Sequence, residues 1–105
     1  MIDKDTQEKI HKNNYKKKVY SRAINTYGTT AQVIMVFEEM AELQKELSKH
    51  LRGKENRTEI AEEIADVEIM LEQMKLIYDT EDEVEKKVKK HKIQRLAERL
   101  NKLEE

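Results

Sequence analysis

The sequence contains no cysteine, no proline and no tryptophan, and it has only two glycines and one phenylalanine. The absence of cysteine excludes disulfide bonds, thiolate catalysis and cysteine-based zinc sites. Because no proline-rich or glycine-rich linker interrupts the chain, residues 1–105 are predicted to form a single domain. The chain also lacks an apolar run of membrane-spanning length and a hydrophobic N-terminal signal region, which favours a cytoplasmic protein that does not enter a membrane.

Charged side chains are what the sequence has in abundance. They make up 41% of the residues, against 37% for apolar ones, yet the net charge is only −1. This balance gives no overall attraction to nucleic acid or to a membrane surface, so neither is expected as a partner. A subunit with so few apolar residues has a thin core of its own. Since those residues keep a regular helical spacing, we expect the core to be completed in a homodimer or homotetramer.

The apolar residues recur at spacings of three and four, which predicts an all-α subunit of four helices and no strands. The first helix is predicted over residues 3–26, and Gly28 ends it. The second helix is predicted to run to about Leu51, with Gly53 in the position of a C-terminal cap. The second and third helices are predicted to form an antiparallel hairpin, with the bundle core completed by oligomerisation.

Polar residues stand where three of the helices are predicted to begin. These residues are Thr29 with Gln32 as a capping box, Asn56 or Thr58 as the cap of the third helix, and Thr80 with Glu83 as another capping box. The second helix has one predicted apolar stripe, formed by Val33, Val36, Phe37, Met40, Leu43, Leu47 and Leu51. The last helix ends in a stripe typical of a coiled-coil seam, formed by Ile93, Leu96, Leu100 and Leu103.

The first predicted helix has a basic middle that includes Lys16, Lys17 and Lys18. Basic residues interleaved with tyrosines are one way to bind RNA phosphates. A solvated lysine-rich face is the favoured interpretation, because acidic residues elsewhere cancel this charge. An RNA-binding helix stays open as an alternative.

Two short stretches of the chain carry clustered carboxylates. Glu38, Glu39 and Glu42 lie in VFEEMAELQKEL, and Glu63 and Asp66 lie in EEIADVEIM. Residues three or four apart share a face of a helix, so each stretch is expected to present its acidic groups within about one turn. Two such helices side by side have the oxygen ligands to hold a hard cation between them.

A projection at about 100° per residue tests where these carboxylates point. Glu63 falls inside the apolar arc of the third helix, and Asp66 lies at its edge. A desolvated carboxylate without a partner costs several kcal/mol, so this position predicts a metal or another cationic partner. Glu39 borders the stripe of the second helix, whereas Glu38 and Glu42 lie toward its polar side. Either a second surface packs there or these two are ordinary solvated glutamates.

Three stretches carry a resemblance to a known family: GTTAQVIMVFEEMAELQKELSKHLRGK, EIAEEIADVEIMLEQM and VEKKVKKHKIQRLAERL. They resemble the all-α nucleoside triphosphate pyrophosphohydrolases of the MazG-like superfamily, and the resemblance covers roughly residues 26 to 100. The motif of that family is Glu-Glu-x-x-Glu on one helix and Glu-x-x-Asp on the next. It is met here by Glu38, Glu39 and Glu42, and then by Glu63 and Asp66.

The resemblance implies a hydrolase that depends on Mg²⁺, for which Mn²⁺ can substitute, and that cleaves a nucleoside triphosphate to the monophosphate and pyrophosphate. Such an activity cleans the nucleotide pool. Which base it prefers stays open, because members of the superfamily differ in substrate. The implied roles are Glu39, Glu42, Glu63 and Asp66 as metal ligands, Glu38 as the group that orients or deprotonates water, and Lys54, Lys92 and Arg95 as candidate phosphate contacts or plain surface cations.

The main alternative is a helical oligomeric module with an interaction or regulatory role and no enzymatic activity. In that case the charged faces are simply solvated. The three histidines are scattered without the spacing of a zinc site, and no glycine-rich phosphate loop or serine nucleophile motif is present.

Overall fold

A computed structural model describes residues 3–105 and confirms the all-α prediction, since no strand occurs in this part of the chain. Its elements are α1 (Lys4–Tyr27), α2 (Thr29–Leu51), α3 (Arg57–Ile77), a π-helical segment (Glu83–Val88) and α4 (Lys89–Glu104). Asp3 caps α1, because its carboxylate accepts a hydrogen bond from the Thr6 N–H at 2.7 Å. Among the described residues, no helix combines the length and apolar character needed to cross a membrane.

Gly28 joins α1 to α2 without any intervening loop. Its N–H donates to the Ile24 carbonyl at 2.8 Å, and its own carbonyl accepts from the Gln32 N–H at 3.2 Å, so one residue ends α1 and starts α2. Its backbone angles, φ 91° and ψ 153°, belong to a region that only glycine adopts readily. The predicted capping box of Thr29 and Gln32 is wrong: Gly28 occupies the cap position, and no side-chain bond caps α2.

The ends of α2 and α3 share one hydrogen-bonding pattern. At Gly53 (φ 97°), the N–H donates to the His50 carbonyl at 2.9 Å, and the next N–H donates to the Lys49 carbonyl at 3.2 Å. At Asp79 (φ 50°), the equivalent bonds reach back into α3 at 3.3 and 3.0 Å. Both are Schellman caps, which need a left-handed residue just beyond the helix. The predicted cap at Gly53 is therefore confirmed.

The antiparallel hairpin of α2 and α3 forms the centre of the molecule, and α1 packs against both of its helices. Only three apolar side chains within residues 3–105 are buried, namely Tyr20, Val36 and Met70. The last helix starts where predicted, with the Val84 N–H donating to the Thr80 carbonyl at 2.9 Å, but its next turns are π-helical. All residues of α4 are exposed.

Candidate metal site

Three carboxylates from two helices meet at the middle of the hairpin. Glu39 of α2 and Glu63 and Asp66 of α3 each contribute an oxygen, and these oxygens all lie within 4.8 Å of one another. We call these three residues the acidic cluster. Glu39 and Glu63 are half-buried, and Asp66 is exposed. Oxygen ligands at such spacing suit a hard divalent cation.

The acidic cluster is the middle one of three polar layers along the contact between α2 and α3. On α2, Gln32, Glu39 and Glu46 are seven residues apart, which is about two helical turns and keeps them on one face. The same interval separates Asn56, the cap residue of α3, from Glu63, and it separates Asp66 from Gln73 on α3. Buried apolar residues such as Val36 and Met70 lie on the same helices between these layers.

The first flanking layer is a pair of buried amides. The Gln32 Nε2 donates to the Gln73 Oε1 at 2.6 Å, and the two residues are only 5% and 4% exposed. The Gln73 Nε2 also contacts the Met70 sulfur at 3.8 Å. Because a slip of either helix would leave both amides buried without partners, this bond fixes the register of α2 against α3.

The second flanking layer is Asn56, which is 1% exposed. Its side-chain Nδ2 donates to the Glu46 carbonyl at 2.9 Å and to the Glu46 Oε2 at 3.1 Å. Asn56 thus occupies the predicted cap position of α3 but uses its side chain to bind α2. The hydrogen bond from Asn56, aided by the nearby charge of Lys49, lowers the pKa of Glu46 despite its partial burial. The hydrogen bonds of Asn56 therefore join α2 and α3 at the other end of the hairpin. We call this contact and the Gln32–Gln73 hydrogen bond the two clamps.

Held between these clamps, the carboxylates of the acidic cluster repel one another. Burial is the largest cause that raises the pKa of Glu39, followed by the charges of Asp66 and Glu63. Burial also raises the pKa of Glu63, with Asp66 and Glu42 adding to the effect. None of the ion pairs within residues 3–105 includes a member of the cluster. The Glu63 Oε2 is buried without a hydrogen-bond partner.

The fold brings together part of the residue set predicted from the sequence. Glu39, Glu63 and Asp66 form the cluster, while Glu42 is exposed next to it and acts on it through its charge. Glu38 is exposed on α2, one residue before the cluster.

The three predicted phosphate contacts lie on other parts of the chain. Lys54 lies in the loop after α2, where its charge contributes to the lowered pKa of Glu46. Lys92 and Arg95 are on α4, where with Leu96 and Arg99 they line a shallow hollow of about 250 Å³. Their roles stay predictions.

Sequence reasoning missed the two clamps. Gln32, Gln73 and Asn56 are polar residues of types usually found at the surface, so nothing in their composition marks them as buried. The seven-residue interval that links each of them to a carboxylate is the signal that was available.

A hollow lies away from the cluster, between α1, α3 and the π-helical segment. It has a volume of about 210 Å³, and Tyr20 at its wall donates a hydrogen bond to Glu72. Its other charges are mostly paired, with Lys17 3.3 Å from Glu81 and Lys75 2.6 Å from Glu85. These contacts dock α1 and the π-helical segment onto α3, which accounts for the hollow without a ligand.

Comparisons with protein-family models, with curated proteins and with solved structures find no match for this chain. The family resemblance of the motif residues therefore stays a prediction.

Proposed function

We propose that the acidic cluster binds a divalent cation and that the protein uses it to hydrolyse nucleoside triphosphates to monophosphates and pyrophosphate in the cytoplasm. The observation that carries this proposal is the meeting of three carboxylates from two helices, with the buried Glu63 Oε2 lacking any partner. A buried oxygen of this kind costs free energy unless a cation or proton compensates it.

The residues present fit Mg²⁺ or Mn²⁺ better than a softer metal. All the nearby groups are carboxylates, the chain has no cysteine, and the cluster contains no histidine. The carboxylates also repel one another, as the raised pKa values of Glu39 and Glu63 indicate, so a divalent cation would relieve both the charge and the burial. The donor set is therefore suited to the implied metal.

In this proposal Glu39, Glu63 and Asp66 hold the metal, and Glu42 completes the set from the exposed side. The bound cation supplies electrostatic stabilisation of the phosphate charge and activation of water. Glu38, on the exposed side of α2, orients the attacking water and accepts its proton. The nucleotide substrate and the role in cleaning the nucleotide pool follow from the resemblance of the motif.

The test measures pyrophosphate release from a panel of nucleoside triphosphates, with and without Mg²⁺, for the wild type and Glu63→Gln. Glu59→Gln is a matched control, because Glu59 is an exposed glutamate of the same helix outside the cluster. We expect Mg²⁺-dependent release that Glu63→Gln abolishes and Glu59→Gln retains. Absence of release by the folded wild type from every nucleotide of the panel would refute the hydrolase.

A second candidate function is an interaction module without catalysis. It is favoured by the exposure of large apolar side chains on α2 and α4, among them Phe37 at 64% and Leu103 at 82%. Binding of Mn²⁺ measured by electron paramagnetic resonance separates the two functions. If the protein is a module without a metal site, the wild type and Glu63→Gln give the same Mn²⁺ signal.

A further inference from the structure

The apolar stripe of α4 has no partner within the chain. Ile93, Leu96, Leu100 and Leu103 line one side of the helix at spacings of three and four, and they are 65%, 53%, 48% and 82% exposed. The main contacts of α4 are with the preceding π-helical segment. A helix of this length gains little stability alone in water, so a packing partner is needed to account for the stripe.

The whole subunit exposes more surface than a folded monomer of its size. Its accessible surface is 9006 Å², whereas a monomer of 12.5 kDa is expected to expose about 6,200 Å². Its radius of gyration is 17.6 Å, against about 13 Å for a compact domain of this length. The excess is larger than the roughly 800 Å² that each partner buries in a standard interface. The area therefore suits a large interface between subunits.

A second unpartnered stripe runs along α2. Ile34, Phe37 and Ala41 are spaced by three and four and are all exposed. They lie on the side of α2 opposite the residues that face α3, as about 100° of rotation per residue requires. Phe37 therefore does not belong to the inward stripe in which the sequence pattern places it. Glu38 and Lys45 border this outward stripe, and both are exposed.

Charge decides which of these surfaces pairs with which. α4 has six Lys and Arg residues and two Glu residues, whereas α2 has four Glu and two Lys residues. Two copies of α4 side by side would bring like charges together. A copy of α4 against α2 brings opposite charges together around two apolar stripes, and Lys92 and Arg99 border the stripe of α4.

We propose that α4 of one subunit packs along the outward stripe of α2 in a second copy of the chain, and that the second copy returns the same contact. The reciprocal arrangement has two-fold symmetry and uses both unpartnered stripes of each subunit. It also carries the basic side of one α4 to the acidic hairpin of the other copy. The inference concerns assembly and does not depend on catalysis by the acidic cluster.

The test is the mass of the full-length protein in sedimentation and light scattering. We expect a dimer or larger even-numbered assembly, with its dissociation constant raised about 100-fold or more in L96D/L100D. The matched control is Q94D/N101D, which adds the same charge to α4 away from the stripe and should associate like the wild type. All four positions are exposed in the subunit, and circular dichroism verifies that each variant keeps its helices. If the wild type at about 100 µM has the mass of a single chain, 12.5 kDa, the proposal is overturned.

Mixing two defective variants tests which surfaces meet. Phe37→Asp places a charge in the stripe of α2, and L96D/L100D places charges in the stripe of α4, so each variant alone should be monomeric. When the two are mixed, the unchanged α4 of Phe37→Asp can pack on the unchanged α2 of L96D/L100D. The mixture should therefore form a heterodimer through one contact. If Phe37→Asp alone remains as associated as the wild type, α4 pairs with another α4 or elsewhere, and the proposal is wrong. The restored association should weaken as salt is raised, because it joins opposite charges.

Discussion

The contact between α2 and α3 and the surface of α4 are built on the same helical spacing but differ in what they bury. Between α2 and α3, the buried positions include Gln32, Gln73 and Asn56, all less than 6% exposed. On α4, the corresponding stripe is apolar and exposed throughout. Polar groups are tolerated in the first case because each amide takes part in a hydrogen bond across the helices: Gln32 and Asn56 donate, and Gln73 accepts from Gln32.

Helical spacing therefore predicts that a stripe forms, but it does not predict whether the stripe is buried or exposed. Burying the polar layers of the hairpin costs free energy. In return, these layers hold α2 and α3 in one register, in which carboxylates from the two helices meet. The stripe of α4 would release free energy on burial, yet its own chain offers no surface to it. The contact between α2 and α3 is therefore closed within one subunit, whereas the stripe of α4 finds no partner within the described chain.

The largest effect is expected at the acidic cluster. Glu39→Gln or Glu63→Gln should reduce Mg²⁺-dependent activity by roughly 100-fold or more, because a ligand is lost where charge develops. The same variants should raise the thermal stability of the metal-free protein at neutral pH, since they remove repulsion. Pyrophosphate release in the presence of Mg²⁺ measures the change in activity, and thermal melts without Mg²⁺ measure the change in stability.

The pH dependence of that stability has a definite sign. Burial raises the pKa of Glu63, so the folded protein holds this proton more tightly than the unfolded chain does. The metal-free wild type is therefore stabilised by this group at low pH, and it loses that stability as pH rises through the raised pKa. The melting temperature of Glu63→Gln should exceed that of the wild type by a margin that widens with pH. A margin that narrows would contradict burial and repulsion at this carboxylate.

Two truncations compare the hairpin with α4 directly. Met70→Ala removes one of the few buried apolar side chains and should lower the free energy of unfolding by about 2 to 5 kcal/mol. Leu100→Ala removes an exposed side chain and should change it by less than about 0.5 kcal/mol in the dissociated subunit. Urea unfolding at low protein concentration measures both. Equal losses would show that α4 packs on its own subunit.

The buried amide pair gives a test within the hairpin. Gln73→Leu leaves the Gln32 amide buried without its partner, which should cost about 1 to 3 kcal/mol. The double variant Q32L/Q73L should recover much of that loss, because both polar groups are gone. Gln44→Leu, at an exposed position of α2, is the matched control. If the double variant costs as much as the sum of two single losses, the amides do not act as a pair.

The smallest effect concerns the joint where α1 meets the hairpin. Burial and the bonded Glu72 carboxylate raise the pKa of Tyr20 to about 12. The stability that this hydroxyl contributes is fully present below about pH 10 and is lost as pH rises from there through the raised pKa. A tyrosinate absorbance titration should show a late step near pH 12. Tyr20→Phe should lack that step, and Glu72→Gln should move it to lower pH.

The helix ends were the part of the fold that could be predicted most closely. Gly28 and Gly53 were predicted to mark the ends of α1 and α2, and both lie there with positive φ. The capping box of Thr29 and Gln32 failed because the same side chain that can cap a helix can also bond to a distant residue. Gln73 lies forty-one residues further along the chain, so no local pattern reveals that choice.

The site could be predicted in part for a related reason. Glu63 was predicted to be partly buried, because it falls inside an apolar arc, and it is half-buried with an oxygen that has no hydrogen-bond partner. Its cationic partner stays a prediction. The meeting of Glu63 with Glu39 depends on how two helices are aligned, and that alignment is set by the clamps at either end.

Local spacing and composition are enough to predict that this chain forms four helices, that turns lie at its glycines, and that carboxylates cluster on two of the helices. These are properties of residues within a few positions of one another, where backbone geometry decides the outcome. The packing of the helices establishes which polar residues are buried, which carboxylates meet and which apolar stripe stays exposed. Those outcomes depend on the register and packing of helices far apart in sequence, where a hydrogen bond such as that between Gln32 and Gln73 selects one alignment among several of similar apolar content.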